Sequence, residues 1–143
     1  VNVNEVCDVN PFGPAAAVAA YNKGEAWLDA LIAYIEENDR TLRAFFAGHL
    51  PDFPVMPLEG TYLMWIDFGA YVKPEEMQNF FENRCRIAID YGDWFKGKAN
   101  TFARFNLATS RERIEEAARR ILAALALSAP FMERFFYTYS TGA

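Results

Sequence analysis

The chain has 143 residues, enough for one domain with its own apolar core, and no apolar run approaches the ~20 residues of a membrane helix. Hydrophobic residues make up 52% and aromatic residues 16%, which excludes a disordered chain, and a net charge of −5 argues against a surface built on nucleic-acid phosphates. Cys7 and Cys85 cannot form a disulfide framework, and polar residues interrupt any leader-like apolar segment, so the expectation is a cytoplasmic domain with neither membrane nor nucleic-acid partners.

Residues 1–13 are polar and broken by Pro11 and Gly13, which reads as an extended lead-in. Residues 14–21 are Ala-rich and predict a short helix with Pro14 in its first turn, followed by a break at Asn22-Lys23-Gly24. From Glu25 onward Leu28, Leu31, Ile32, Ile35, Leu42, Phe45 and Phe46 recur at helical spacing. They predict a helix to about Gly48, roughly 35 Å long. A helix of that length in so small a chain suggests a link between two parts of a larger protein. Its Trp27 face is assigned to the core.

Residues 54–56 predict a short strand and residues 57–60 a turn. Residues 61–68 are a near-continuous run of strand formers, expected to be covered on both faces. Pro74 opens a helix whose Met77, Phe80 and Phe81 form a core stripe. Residues 86–89 predict a short strand and residues 90–100 a loop. Residues 101–107 alternate as a strand, with Ala103, Phe105 and Leu107 on one face and Phe102, Arg104 and Asn106 on the other. Thr109 and Glu112 predict a capping box for a helix carrying Ile114, Ala117, Ala118, Ile121, Leu122 and Leu125. That helix ends near Ser128, and residues 129–143 form an aromatic tail. The fold class is α+β: a small, mainly antiparallel sheet covered by helices, in a domain spanning residues 14–128.

His49 is the one histidine, with no cysteine or carboxylate cluster at metal-ligand spacing around it, and its place beside a helix end disfavours a Ser-His-Asp triad. Arg104 is the sharpest polar residue. Within a strand of apolar neighbours its guanidinium can grip a carboxylate through two parallel bonds. An edge-strand arginine paired with a local carboxylate fits the pattern as well. Asn106, two residues on, shares its face and is a candidate support. Trp94, Lys96 and Lys98 lie in a glycine-bounded loop that is either a ligand-side loop drawing in an anion or a solvated connector. Gly60-Thr61-Tyr62 either lets backbone approach a ligand closely or is a plain turn into a strand. Arg111, Arg113, Arg119 and Arg120, interleaved with Glu112, Glu115 and Glu116, read as a solvated ion-pair face.

Four stretches carry a resemblance: Asn10-Pro-Phe-Gly-Pro with the segment from Ala19 to Leu28, the segment from Glu59 to Asp67, Gly92-Asp-Trp-Phe95, and the segment from Phe102 to Arg111. Together they resemble the C-terminal small domain of the fold-type I pyridoxal-phosphate enzymes, class I/II aminotransferases, nearest to the MalY/PatB-type cystathionine β-lyase branch. The resemblance implies pyridoxal 5'-phosphate as cofactor, held mainly by a preceding large domain that includes the cofactor lysine. It implies that Arg104 clamps the α-carboxylate of an amino-acid substrate, with Asn106 in support and Gly60 and Tyr62 lining the cleft. No catalytic, cofactor-binding or metal-binding residue is expected within these residues. Lys96 stands where the family usually has glycine, and Ser110 where proline is common. The resemblance further implies a homodimer and a fragment inactive by itself. Aminotransferase is the leading reading, a cystathionine β-lyase (C–S lyase) the alternative, and a free-standing interaction module the third.

Overall fold

A computed structural model describes residues 10–50, 53–95 and 97–127. Expectations for the start of the lead-in, for Lys96 and for the aromatic tail lie outside the described residues. Two compact units are present, one ending at Tyr34 and the other beginning at Ile35. No sequence signal marks that division, which falls inside a helix.

The first unit holds α1 (Phe12–Lys23) and the start of α2 (Glu25–His49). Helix α1 begins two residues before Pro14, because the Asn10 side-chain oxygen accepts the Phe12 N–H at 2.9 Å. The break is Gly24 alone. Its N–H reaches the Ala20 carbonyl at 2.7 Å, and a Cβ there would lie 2.5 Å from the same oxygen. Trp27 and Leu28 are 69% and 50% exposed, so the expected core placement of the Trp27 face is corrected. Periodicity identifies which face of a helix is apolar and says nothing about what covers it.

In the second unit, the rest of α2 buries Ile35, Asn38, Leu42 and Phe46. Three strands follow: β1 (Leu63–Asp67), β2 (Asp90–Tyr91) and β3 (Phe102–Asn106). Their order is β1-β3-β2 with both pairs antiparallel, so β3 is central. Helix α3 (Arg111–Ala126) buries Ile114, Ala118, Ile121, Ala124 and Leu125. The core is aromatic. Phe68 is fully buried, with its ring 4.8 Å from Phe53 and 4.9 Å from Phe81, and Phe80 lies 5.0 Å from Phe81. Each such side chain contributes about 1.5–3 kcal/mol by burial. Asn38 is the one buried polar residue among those described; its side-chain amide donates to the Leu107 and Thr109 carbonyls at 2.9 and 3.0 Å, tying α2 to the β3–α3 connection.

The expected alternation of residues 101–107 is observed: Ala103, Phe105 and Leu107 are buried, and Phe102, Arg104 and Asn106 are turned outward. Elsewhere local sequence misleads. Residues 54–56 make a single bridge, Val55 to Ile66, in place of a strand. Strand β1 is covered on one face only, with Met64 and Ile66 buried and Leu63, Trp65 and Asp67 half-buried. Its outward residues are themselves largely apolar, which hides the alternation. The helix opened by Pro74 is a 3-10 turn (Pro74–Glu76) leading to a π-helical turn (Asn79–Cys85). Arg86 closes it in the left-handed conformation (φ 54°), and the Ile87 N–H returns to the Phe81 carbonyl at 2.9 Å. The segment 86–89 therefore does not form the predicted strand, and pairing passes to Asp90 and Tyr91. The Thr109 capping box does not form either: the residue before α3 is Ser110, and the Thr109 carbonyl is engaged by Asn38. Glu112 accepts its own backbone N–H and the Ser110 hydroxyl, which hold its carboxyl below the usual carboxylate range. No described helix is long and apolar enough to cross a membrane.

Candidate functional site

Antiparallel register sets the site. Arg104 on β3 lies directly opposite Trp65 on β1 and Asp90 on β2, so the three residues form one row across the sheet. All three belong to the face turned away from the aromatic core, where strand alternation sends every second side chain. Arg104 is thus on the central strand, not an edge, yet it does have a local carboxylate. Asp90 Oδ2 accepts from Arg104 Nε at 2.9 Å and from Nη2 at 2.5 Å. The Phe95 ring covers the guanidinium, its centroid 4.8 Å from the central carbon, and meets Trp65 edge-on at 5.1 Å.

A guanidinium has a side edge (Nε and Nη2) and an end edge (Nη1 and Nη2), each able to donate two parallel bonds. Asp90 occupies the side edge through one oxygen. Among the described residues none accepts from Nη1, Nη2 keeps a second N–H directed along the end edge, and the side chain is 25% exposed. The row therefore presents a fixed, half-buried cation with one bidentate position open, a shape that suits a planar carboxylate.

Local structure holds Phe95 over this row. Gly92 is buried, and a Cβ there would lie 1.8 Å from the Ala99 carbonyl oxygen, so the loop closes on itself only with glycine. The Phe95 N–H returns to the Gly92 carbonyl at 3.1 Å, and the Phe102 N–H to that of Ala99 at 3.0 Å, which joins the loop to β3. Tyr91, on the other face of β2, donates to Glu82 at 3.2 Å; burial first, and that carboxylate second, push its phenol up to about 12.

The other candidates are placed less closely. Asn106 is exposed and accepts the Ala108 N–H at 2.8 Å; it makes no hydrogen bond to Arg104, so the residue that holds the arginine is Asp90 instead. Gly60 is exposed with nothing within 4 Å of a would-be Cβ, so the space where a side chain would stand is open. Tyr62 is 44% exposed at the end of the sheet, where its carbonyl accepts the Leu107 N–H at 2.8 Å. Trp94 is 64% exposed and meets Tyr91 edge-on at 5.3 Å, and Lys98 is exposed. His49 ends α2, bonded through Nδ1 to the Phe45 carbonyl at 2.8 Å and stacked on the Phe45 ring. Sequence reasoning missed Asp90 and Phe95. The available signal was an acid and an aromatic flanking Gly92, in a segment read as loop.

No protein-family model matches the chain. It is 35% identical over 123 residues to the cystathionine β-lyase PatB of Bacillus subtilis, covering 85% of this chain and 32% of that protein. A PLP-bound C–S lyase from Staphylococcus hominis has the same fold with TM-score 0.77 and 33% identity, over 84% of this chain and 32% of that one. A PLP-bound putative aminotransferase from Clostridium difficile 630 matches with TM-score 0.76 and 33% identity, over 81% and 30%. The chain is therefore a segment of the aminotransferase-like fold of pyridoxal-phosphate proteins. The chain belongs to the MalY/PatB cystathionine β-lyase branch of that family, spanning about a third of the length of the relatives it matches.

The donor set does not by itself fit pyridoxal 5'-phosphate. The described lysines, Lys23, Lys73 and Lys98, are all exposed, unlike a sequestered amine suited to carry a carbonyl cofactor. The open edge of Arg104 fits a planar carboxylate or a phosphate alike, so it does not by itself single out the cofactor.

Proposed function

We propose that this chain is the C-terminal, substrate-carboxylate-binding part of a cytoplasmic C–S β-lyase that uses pyridoxal 5'-phosphate and acts on cystathionine-like amino acids. Arg104 takes the substrate α-carboxylate on its Nη1/Nη2 edge. Two parallel charge-assisted bonds fix both the position and the rotation of the amino acid, which is the orienting contribution this segment makes. The cofactor and its lysine are supplied from outside these residues, so the 143-residue chain alone is inactive. The amino acid, the large domain and a second copy of the enzyme are its partners. The single observation carrying this reading is the open end edge of a guanidinium already fixed by Asp90 and Phe95.

The lyase is preferred to the aminotransferase, reversing the order that sequence alone suggested, because PatB is named a cystathionine β-lyase and the S. hominis protein a C–S lyase. The C. difficile structure keeps transamination as a second reading. Products separate the two. With the full-length enzyme, L-cystathionine and water, homocysteine, pyruvate and ammonia form in equal amounts without any added 2-oxo acid acceptor if the lyase reading holds. A strict requirement for a 2-oxo acid acceptor, with amino-group transfer to it, establishes transamination instead.

A further inference from the structure

We propose that Asp90 is a positioning residue that aims the Arg104 guanidinium and co-binds with the substrate carboxylate instead of competing with it. The inference rests on the reading of Arg104 as the carboxylate clamp. An arginine on a strand has four rotatable side-chain bonds, and an unpinned fork samples many directions. Here Oδ2 of Asp90 takes both side-edge donors, at 2.9 Å from Nε and 2.5 Å from Nη2, which defines the plane and the rotation of the group. Phe95, 4.8 Å above the central carbon, limits tilt out of that plane. The anchor comes from the strand next door, Asp90 standing opposite Arg104 in the ladder, so its position is set by backbone pairing.

Two carboxylates can share one guanidinium because they use different edges. The Asp90 charge lowers the net attraction for an incoming anion, whereas its oxygen supplies the aim. Hydrogen bonding and charge thus act in opposite directions, and conservative substitution separates them. Asn at 90 keeps an acceptor and removes the charge; Ala removes both.

The test uses the full-length, cofactor-loaded enzyme and measures KM and kcat for L-cystathionine, together with binding of a non-reacting amino-acid carboxylate by calorimetry. Asp90→Ala is expected to weaken binding and raise KM roughly tenfold, while Asp90→Asn stays within about threefold of the parent. Asp90→Val, which likewise lacks acceptor and charge and suits a strand, replaces the Ala variant should the latter not be recovered folded. Equal losses in the Ala and Asn variants overturn the proposal, because charge pairing or fold integrity would then be the role. Unchanged or tighter binding in Asp90→Ala also overturns it, since Asp90 would then be idle or a competitor. Arg104→Ala is measured alongside: binding that survives that change rejects the clamp itself. Loss with Arg104→Ala but not with Asp90→Ala rejects only the role of Asp90.

Discussion

Asn38 is fully buried, and both its donor bonds end on backbone carbonyls of the β3–α3 link, while its Oδ1 has no partner among the described residues. Replacing it with Ala strands the Leu107 and Thr109 carbonyls and leaves a void, so Asn38→Ala is expected to destabilise the chain by about 1–3 kcal/mol in urea unfolding. A midpoint unchanged from the parent would show that water satisfies those carbonyls. Cys85 is also buried, and desolvation pushes its thiol from 9.0 up to about 12. Between those pH values the unfolded chain has released a proton that the folded chain keeps. Stability from this group is therefore complete below the ordinary thiol range and falls as pH rises through it. Tyr91, raised from 10.0 to about 12, acts in the same direction at higher pH. The urea midpoint is expected to fall from near pH 9 upward, and Cys85→Ala to remove the earlier part of that fall. A parent midpoint flat to the pH of the raised thiol would contradict the assignment.

Among the elements, the loop that carries Phe95 depends on one glycine. A Cβ on Gly92 would sit 1.8 Å from backbone, which must move, whereas one on Gly60 meets nothing within 4 Å. Gly92→Ala is expected to lose about 1–3 kcal/mol and Gly60→Ala to be neutral within about 0.5 kcal/mol, by thermal or urea unfolding. Equal effects would mean that the loop is not closed as described. Strand β3 was legible because its period of two survives any tertiary context, from Ala103 to Leu107. Strand β2 was not. Ile87, Ala88 and Ile89 have the better strand composition, but left-handed Arg86 and the Ile87 N–H, returned to the Phe81 carbonyl, close the π-helical turn just before them, and pairing begins only at Asp90 and Tyr91. A two-residue strand ending in an acid and a tyrosine is fixed by its neighbours and not by its own propensity.

On the scale of the whole molecule, the family was readable because four stretches keep the family's spacing over most of the chain, and Arg104 lies in one of them. Its partner was hidden, since a carboxylate fourteen residues away reveals nothing until register places it opposite. The exposed Trp27 and Leu28 show the same limit: the sequence reports an apolar face, and only structure reports exposure. Lyase and aminotransferase were not separated by reading, because the resemblance implies the same carboxylate-binding task for this segment in both. What we propose this segment contributes under either chemistry is a carboxylate clamp. The direct test compares L-cystathionine with its analogue bearing a carboxamide at the cysteine-derived α-carboxyl, in the full-length enzyme and in Arg104→Ala. Losing a charge-assisted bidentate pair is worth about 1.5–3 kcal/mol, so the parent is expected to favour the carboxylate in kcat/KM by roughly 10- to 150-fold. In Arg104→Ala that preference should shrink to near one. An undiminished preference for the carboxylate in the variant would contradict the account.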